Sequence, residues 1–303
     1  MPIETKESFR WIDNVKRSNA LFGKSSQCIH IGDREADIYE LYSECQNSNS
    51  SFVIRVCNNR KLFNSEQKLF ESVSKESAKG FYAVTITDKN GEKESVQVEV
   101  RFKKVNVMPP IGKEKNYPKP ISACYIEVKE KMGSERRGEK CRVEWKLLTN
   151  LPVANFEDAF EKNQWYAMRW KIELFFKILK SGCKTEESKL RNANRLAKFI
   201  TICSVIAWKV FWLTMLNRTN PVGKISQVLS ERECDVLDKY MKVNKSLGLK
   251  KSISDYLIDI AKLGGYLNRK SDPPPGNMVI WRGISRLNDL IIGFKLAKGL
   301  MGN

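Results

Sequence analysis

Apolar and polar residues follow two different periods along the 303-residue chain, and the period changes twice. Phe9, Ile12 and Val15 recur at helical spacing and predict an amphipathic helix over 5–19. QCIHIGD (27–33) reads as a strand, 36–45 as a helix and SFVIRVC (51–57) as a second strand, the rhythm of an α/β layer. From about residue 60 the period becomes two. FYAVTITDKNGEKESVQVEVRF (81–102) alternates around Asn90-Gly91, a strong hairpin signal. SACYIEV (122–128) and RVEWKLL (142–148) continue the β pattern between basic loops, IGKEKNYPKP and KMGSERRGEK. From about 155 the helical period returns. NFEDAFEKNQWYAMRWKIELFFKILKSG predicts one long helix stopped near Gly182, and 196–216 the next. Further helices follow over 229–303, broken at Gly264-Gly265 and at DPPPG (272–276).

Charge adds a partner class to this picture. The 53 Lys and Arg against 35 Asp and Glu leave a net charge of +18. Such a balance favours a polyanion, because Lys and Arg displace condensed counterions from phosphates. The N-terminus lacks the apolar stretch of a signal peptide. The most apolar segment, Leu196–Leu216, is interrupted by Lys198 and Lys209 and reads as a buried core helix, so no membrane is expected. The eight Cys form no C-x-x-C pair and His30 is the only histidine, which argues against structural zinc and a disulfide framework.

Two places concentrate candidate chemistry. On a continuous helix, Tyr166, Arg169, Glu173, Lys177 and Lys180 would share roughly an 80° arc. That arc is either a solvated face with a Glu173–Lys177 ion pair or one carboxylate set among cations. Asp33 stands at the C-terminal end of a strand, where α/β layers commonly bind ligands. Asp33 or Asp37 could equally cap the following helix, and Asp37 and Glu35 read as cap and helix-dipole residues. Trp145 alternates with Val143 and Leu147, so a core position is open to it as well.

DREADIYE followed by Y-x-x-R-x-x-x-E-x-x-x-K-x-x-K resembles the DDE transposases of bacterial insertion sequences. The resemblance is to the insertion-sequence-four family with the Tyr-Arg-Glu-Lys signature, and extends to the transposon-five transposase. FVIRVCNNRK (52–61), WKLLTNLPV (145–153), IAKLGGYLNRK (260–270) and MVIWRGISRLNDLIIGF (278–294) carry it over nearly the whole chain. It implies an α/β fold: an RNase H-like catalytic core, interrupted by an antiparallel β insertion and followed by a helical C-terminal region. The implied divisions are 1–60 and 151–220 for the core, 61–150 for the insertion and 221–303 for a helical dimerisation region. Asp33 and Glu173 would be catalytic and bind Mg²⁺ or Mn²⁺. Tyr166, Arg169, Lys177 and Lys180 would hold phosphates, Trp145 would stack on a flipped base, and Arg55 and Arg60 would lie beside the transposon end.

The resemblance also implies a first aspartate on an earlier strand. The only Asp before Asp33 is Asp13, within the helical pattern SFRWIDNVKRS. The core is therefore expected to be incomplete at its N-terminus. The expected activity is cut-and-paste transposition by two-metal phosphodiester hydrolysis and strand transfer, with this chain alone inactive. The alternative is a non-catalytic DNA-binding and dimerisation fragment that inhibits a full-length transposase. The implied partners are transposon-end and target DNA, with a second copy or a full-length transposase. The implied location is the bacterial cytoplasm, on the nucleoid.

Overall fold

The computed structural model describes residues 3–23, 27–87, 93–131, 143–183, 185–242 and 252–300. The Asn90-Gly91 turn and most of the basic loop 131–140 lie outside these residues. The chain divides into two compact units, Met1–Arg169 and Trp170–Asn303.

The first unit is built on one six-stranded sheet. Its strands are β1 (Ile29–Gly32), β2 (Ser51–Arg55), β3 (Gly80–Thr87), β4 (Lys93–Val107), β5 (Ile121–Glu130) and β6 (Glu144–Thr149). They lie in the order β1-β2-β6-β5-β4-β3. β1 and β2 pair in parallel, Ile29 opposite Ser51, and every other pairing is antiparallel. Helix α2 (Tyr39–Asn47) makes the crossover between the parallel strands. The strands expected as an insertion over 61–150 join this same sheet, because β6 sits between β2 and β5.

Period-two alternation sorts the strand residues onto two faces. Phe52, Ile54, Tyr125 and Leu148 pack with Val15 of α1 (Phe9–Phe22) and with Tyr39, Leu41, Tyr42 and Cys45 of α2. Val53, Ile126, Val128 and Leu147 pack on the opposite face with Ala159 and Tyr166 of α3 (Phe156–Ala167). Asn155 caps α3 by accepting the Asp158 N–H at 2.8 Å.

The single helix expected over 155–182 is corrected here. Helix α3 ends at Ala167, and α4 (Trp170–Cys183) starts afresh. The Met168 N–H reaches back to the Gln164 and Trp165 carbonyls, and the Arg169 N–H to Tyr166, tightening the chain into a turn. Gly182 does not stop α4. It lies inside the helix, where a Cβ would come within 2.8 Å of the Trp281 ring, so close packing accounts for it.

The second unit is helical: α4, α5 (Ala193–Thr219), α6 (Glu231–Lys242), α7 (Ile253–Leu263) and α8 (Asn277–Leu300). Its core joins Ile178, Val210, Leu213, Leu237, Ile260 and Ile284. α7 carries a capping box from Ser252 and Asp255 and ends before Gly264. α7 and α8 approach closely: a Cβ on Gly283 would lie 1.8 Å from the Ile260 carbonyl oxygen. The expectation that Leu196–Leu216 is a buried core helix holds for one face only. Cys203, Ala207, Val210 and Leu213 are buried, whereas Ile202 is 62% exposed, Val205 67% and Trp208 53%. By length and composition α5 could cross a bilayer, with a third of its most apolar stretch buried in the protein. Lys209 interrupts it and pairs with Glu233.

Candidate functional site

β1 ends at Gly32, and Asp33 opens a 3₁₀ turn over Arg34–Ala36. A Cβ on Gly32 would stand 2.5 Å from the Ala36 Cβ and 2.8 Å from Ile54 Cδ1, so the turn closes this tightly only on glycine. One Asp33 carboxylate oxygen accepts the Glu35 N–H at 3.0 Å and caps the turn. The other lies 3.7 Å from Arg169 Nη1, just beyond the end of α3. Asp33 is thus both a cap and the partner of Arg169.

Trp145 and Tyr166 meet on the α3 side of the sheet, ring centroids 6.0 Å apart at 64°. Tyr166 is buried and Trp145 half-buried, and Val143 and Leu147 belong to the same cluster, as strand alternation predicts. Arg55 is the last residue of β2, and its guanidinium donates to the Glu144 carbonyl at 2.9 Å. Glu173, Lys177 and Lys180 belong to the second unit. They lie along one side of α4 and are exposed, with Lys180 Nζ 2.8 Å from Glu186. The five residues are divided between two helices and the turn that separates them. Tyr166 and Arg169 belong to one unit, and Glu173, Lys177 and Lys180 to the other.

Asp37 departs from its expected role as a cap and pairs with Arg60. Asp37 does not cap α2, whose first cap position is Ile38. Its buried carboxylate accepts five donors instead. Tyr42 Oη donates at 2.7 Å, the Cys57 and Asn58 N–H groups at 2.7 and 2.8 Å, Asn58 Nδ2 at 2.9 Å and Arg60 Nη2 at 2.6 Å. Arg60 also donates to the Asp37 carbonyl at 2.7 Å, and its side chain is only 10% exposed. Arg60 is therefore a largely buried strut between the turn after β1 and the loop after β2. Burial alone would raise the Asp37 carboxyl. The Arg60 charge and the hydrogen bonds from Arg60, Tyr42 and Asn58 outweigh it and hold the group below its ordinary value. Burial, and then Asp37, push the Tyr42 hydroxyl well above its ordinary range. His30 is a half-buried strand residue whose burial lowers its pKa.

A hard divalent cation takes six or more oxygen ligands, several of them carboxylate. Asp33 brings one carboxylate, already shared between the Glu35 N–H and Arg169. Among the described residues no three His, Cys, Asp or Glu side chains gather to hold a metal.

Sequence reasoning passed over Arg34 and Lys146, which join Arg55 around one cleft. Lys146 alternates out of phase with Trp145 on β6, and Arg34 follows Asp33 directly; those positions were the available signal. Compared with known families, residues 11–208 match the model of the transposase DDE domain.

Proposed function

Because the chain belongs to the transposase DDE-domain family, we propose that it acts on DNA in the transposition of a bacterial insertion sequence. The finer reading is a cut-and-paste transposase of the insertion-sequence-four type on an RNase H-like core. Asp33 and Glu173 are the carboxylates this chain brings to phosphodiester chemistry, and Mg²⁺ or Mn²⁺ is the cofactor that family membership implies. Arg169, Tyr166, Lys177 and Lys180 hold phosphates near the cut end, Trp145 takes an extruded base, and Arg55 lies against the backbone. The observation that supports this reading best is the pairing of Asp33 with Arg169 at the C-terminal end of β1, inside the matched region.

A second reading is favoured by one observation: the absence, among the described residues, of three gathered metal-ligating side chains. In that reading the polypeptide binds DNA without cutting it. It pairs with a second copy or a full-length transposase through its helical unit, and so inhibits transposition. Both readings place it in the cytoplasm on the nucleoid.

The test is a nicking and binding assay on duplex DNA with Mg²⁺ or Mn²⁺. On either reading the polypeptide is expected to bind with a steep linear fall of log K against log salt. Nicking that disappears in Glu173→Ala would support the first reading and overturn the second. A flat salt response would overturn DNA binding.

A further inference from the structure

The sheet of the first unit ends at β3, which pairs with β4 along one side and with no other strand among the described residues. In an antiparallel pair alternate residues turn both backbone groups away from the neighbouring strand. Half of the N–H and C=O groups of Gly80–Thr87 therefore point off the free edge. Edge strands are usually protected by charge, proline, a bulge or a covering element. The sequence of β3, GFYAVTIT, carries no charged side chain and no proline, although 29% of the chain is charged. Its register with β4 runs unbroken from Gly80 opposite Val100 to Thr87 opposite Lys93, so no bulge twists the edge away.

Both faces of the strand still have surface to lose. Tyr82, Val84 and Ile86 pack into the cluster under α3 and stay only partly buried. Phe81, Ala83 and Thr85 alternate onto the other face and are exposed, Phe81 at 51% with Lys131 Nζ 5.3 Å from its ring centroid. Directly opposite residues of an antiparallel pair share a face. Self-pairing of β3 must therefore set Tyr82, Val84 and Ile86 against one another. With Val84 on a two-fold axis, Val84 meets its own copy and Tyr82 meets Ile86 of the second copy, an aromatic against a β-branched side chain. Ala83 then meets Thr85. A register centred on Ala83 would instead use a pairing position on Gly80, which has no side chain to offer. No like charges meet along this edge, although each copy carries +18.

We propose that the free edge of β3 is a docking surface for β3 of a second copy, antiparallel, with Val84 on the two-fold axis. The pairing joins two sheets into one and uses up the edge on both copies, so it closes as a dimer. It lies in the first unit, is separate from the pairing through the helical unit considered above, and requires no DNA. Strands of this length bury about 240 Å² on each copy, far less than the roughly 800 Å² per partner of a standard interface, so the association is micromolar or weaker.

Sedimentation equilibrium of the full chain without DNA, from micromolar to several hundred micromolar, tests this. The weight-average mass is expected to rise from 34.9 kDa towards twice that value. Ala83→Lys combined with Thr85→Lys sets lysine against lysine twice across the axis and is expected to weaken association about tenfold. Ala83→Glu combined with Thr85→Lys sets opposite charges there and is expected to stay within about threefold of wild type. Higher salt screens the repulsion between two basic copies and should tighten the wild-type pairing, the reverse of its effect on duplex binding. Hydrogen exchange reads the same edge without a variant: amides within 81–87 should exchange more slowly at high protein concentration. A wild-type chain that stays monomeric would overturn the proposal. So would self-association unmoved by the double-lysine variant, equal weakening in both variants, or exchange at 81–87 that ignores concentration. None of these outcomes bears on DNA binding.

Discussion

Asp37→Ala tests the central strut directly. The substitution removes an acceptor that serves five donors and leaves the Arg60 guanidinium, nine-tenths buried, without its carboxylate. Breaking a buried pair from one side costs about 3–5 kcal/mol, because the remaining charge stays desolvated. The unpaired Tyr42 hydroxyl and amide groups add to this, though not additively. Against a typical domain stability of about 5–15 kcal/mol, the loss is a large share. For a unit spanning Met1–Arg169 it corresponds to a melting decrease of roughly 6–20 °C. Urea unfolding followed by far-ultraviolet circular dichroism reads it. The cycle is completed by Arg60→Ala and the double variant. With no buried charge left over, the double should cost about 1–3 kcal/mol less than the sum of the singles. A single-variant cost below about 1 kcal/mol, or an additive cycle, would refute the assignment of Asp37 and Arg60 as a buried strut.

Acid should weaken the same unit through Asp37, whose carboxyl is more acidic folded than unfolded. Its contribution is complete above the ordinary carboxylate pKa near 4 and is lost as pH falls through the lower folded value. The stability gap between wild type and Asp37→Asn should therefore narrow below about pH 4, and a gap constant from pH 5 to 2 would contradict this. On α5, Ile202→Ser combined with Val205→Ser should change stability by less than about 0.5 kcal/mol per site, because both side chains are exposed. A loss above about 2 kcal/mol in a melting assay would mean that this face is covered in solution.

The strands were legible because alternation imposes a strict choice of face. Phe52, Val53 and Ile54 point to opposite clusters in turn, and the sequence pattern requires just that. The break between α3 and α4 was not legible. Trp165, Met168 and Ile172 continue the helical period across it, and neither Met168 nor Arg169 is a helix breaker. α5 misled for a related reason: a segment apolar on all sides carries no phase, so the pattern cannot say which side is exposed. Asp33 was placed correctly at a strand end, with its cap and site roles both open. Asp37 was misread because an acid two residues before a helix looks like a local cap, whereas four of its five donors lie 20 to 23 residues downstream. The burial of Arg60 was not legible, because it depends on that distant carboxylate, which no local window contains.

The turn at Met168–Arg169 changes what the spacing of the signature means. Within an unbroken helix, each residue added or removed rotates everything beyond it by about 100°. Here Tyr166 and Glu173 sit on two separate helices with the Met168–Arg169 turn between them. A length change at the turn leaves the phase within each helix untouched. The same change inside α4 would swing Lys177 and Lys180 away from the side that Glu173 occupies. Natural insertions and deletions in this segment should therefore gather at the turn, and α4 should keep its length from Glu173 to Lys180.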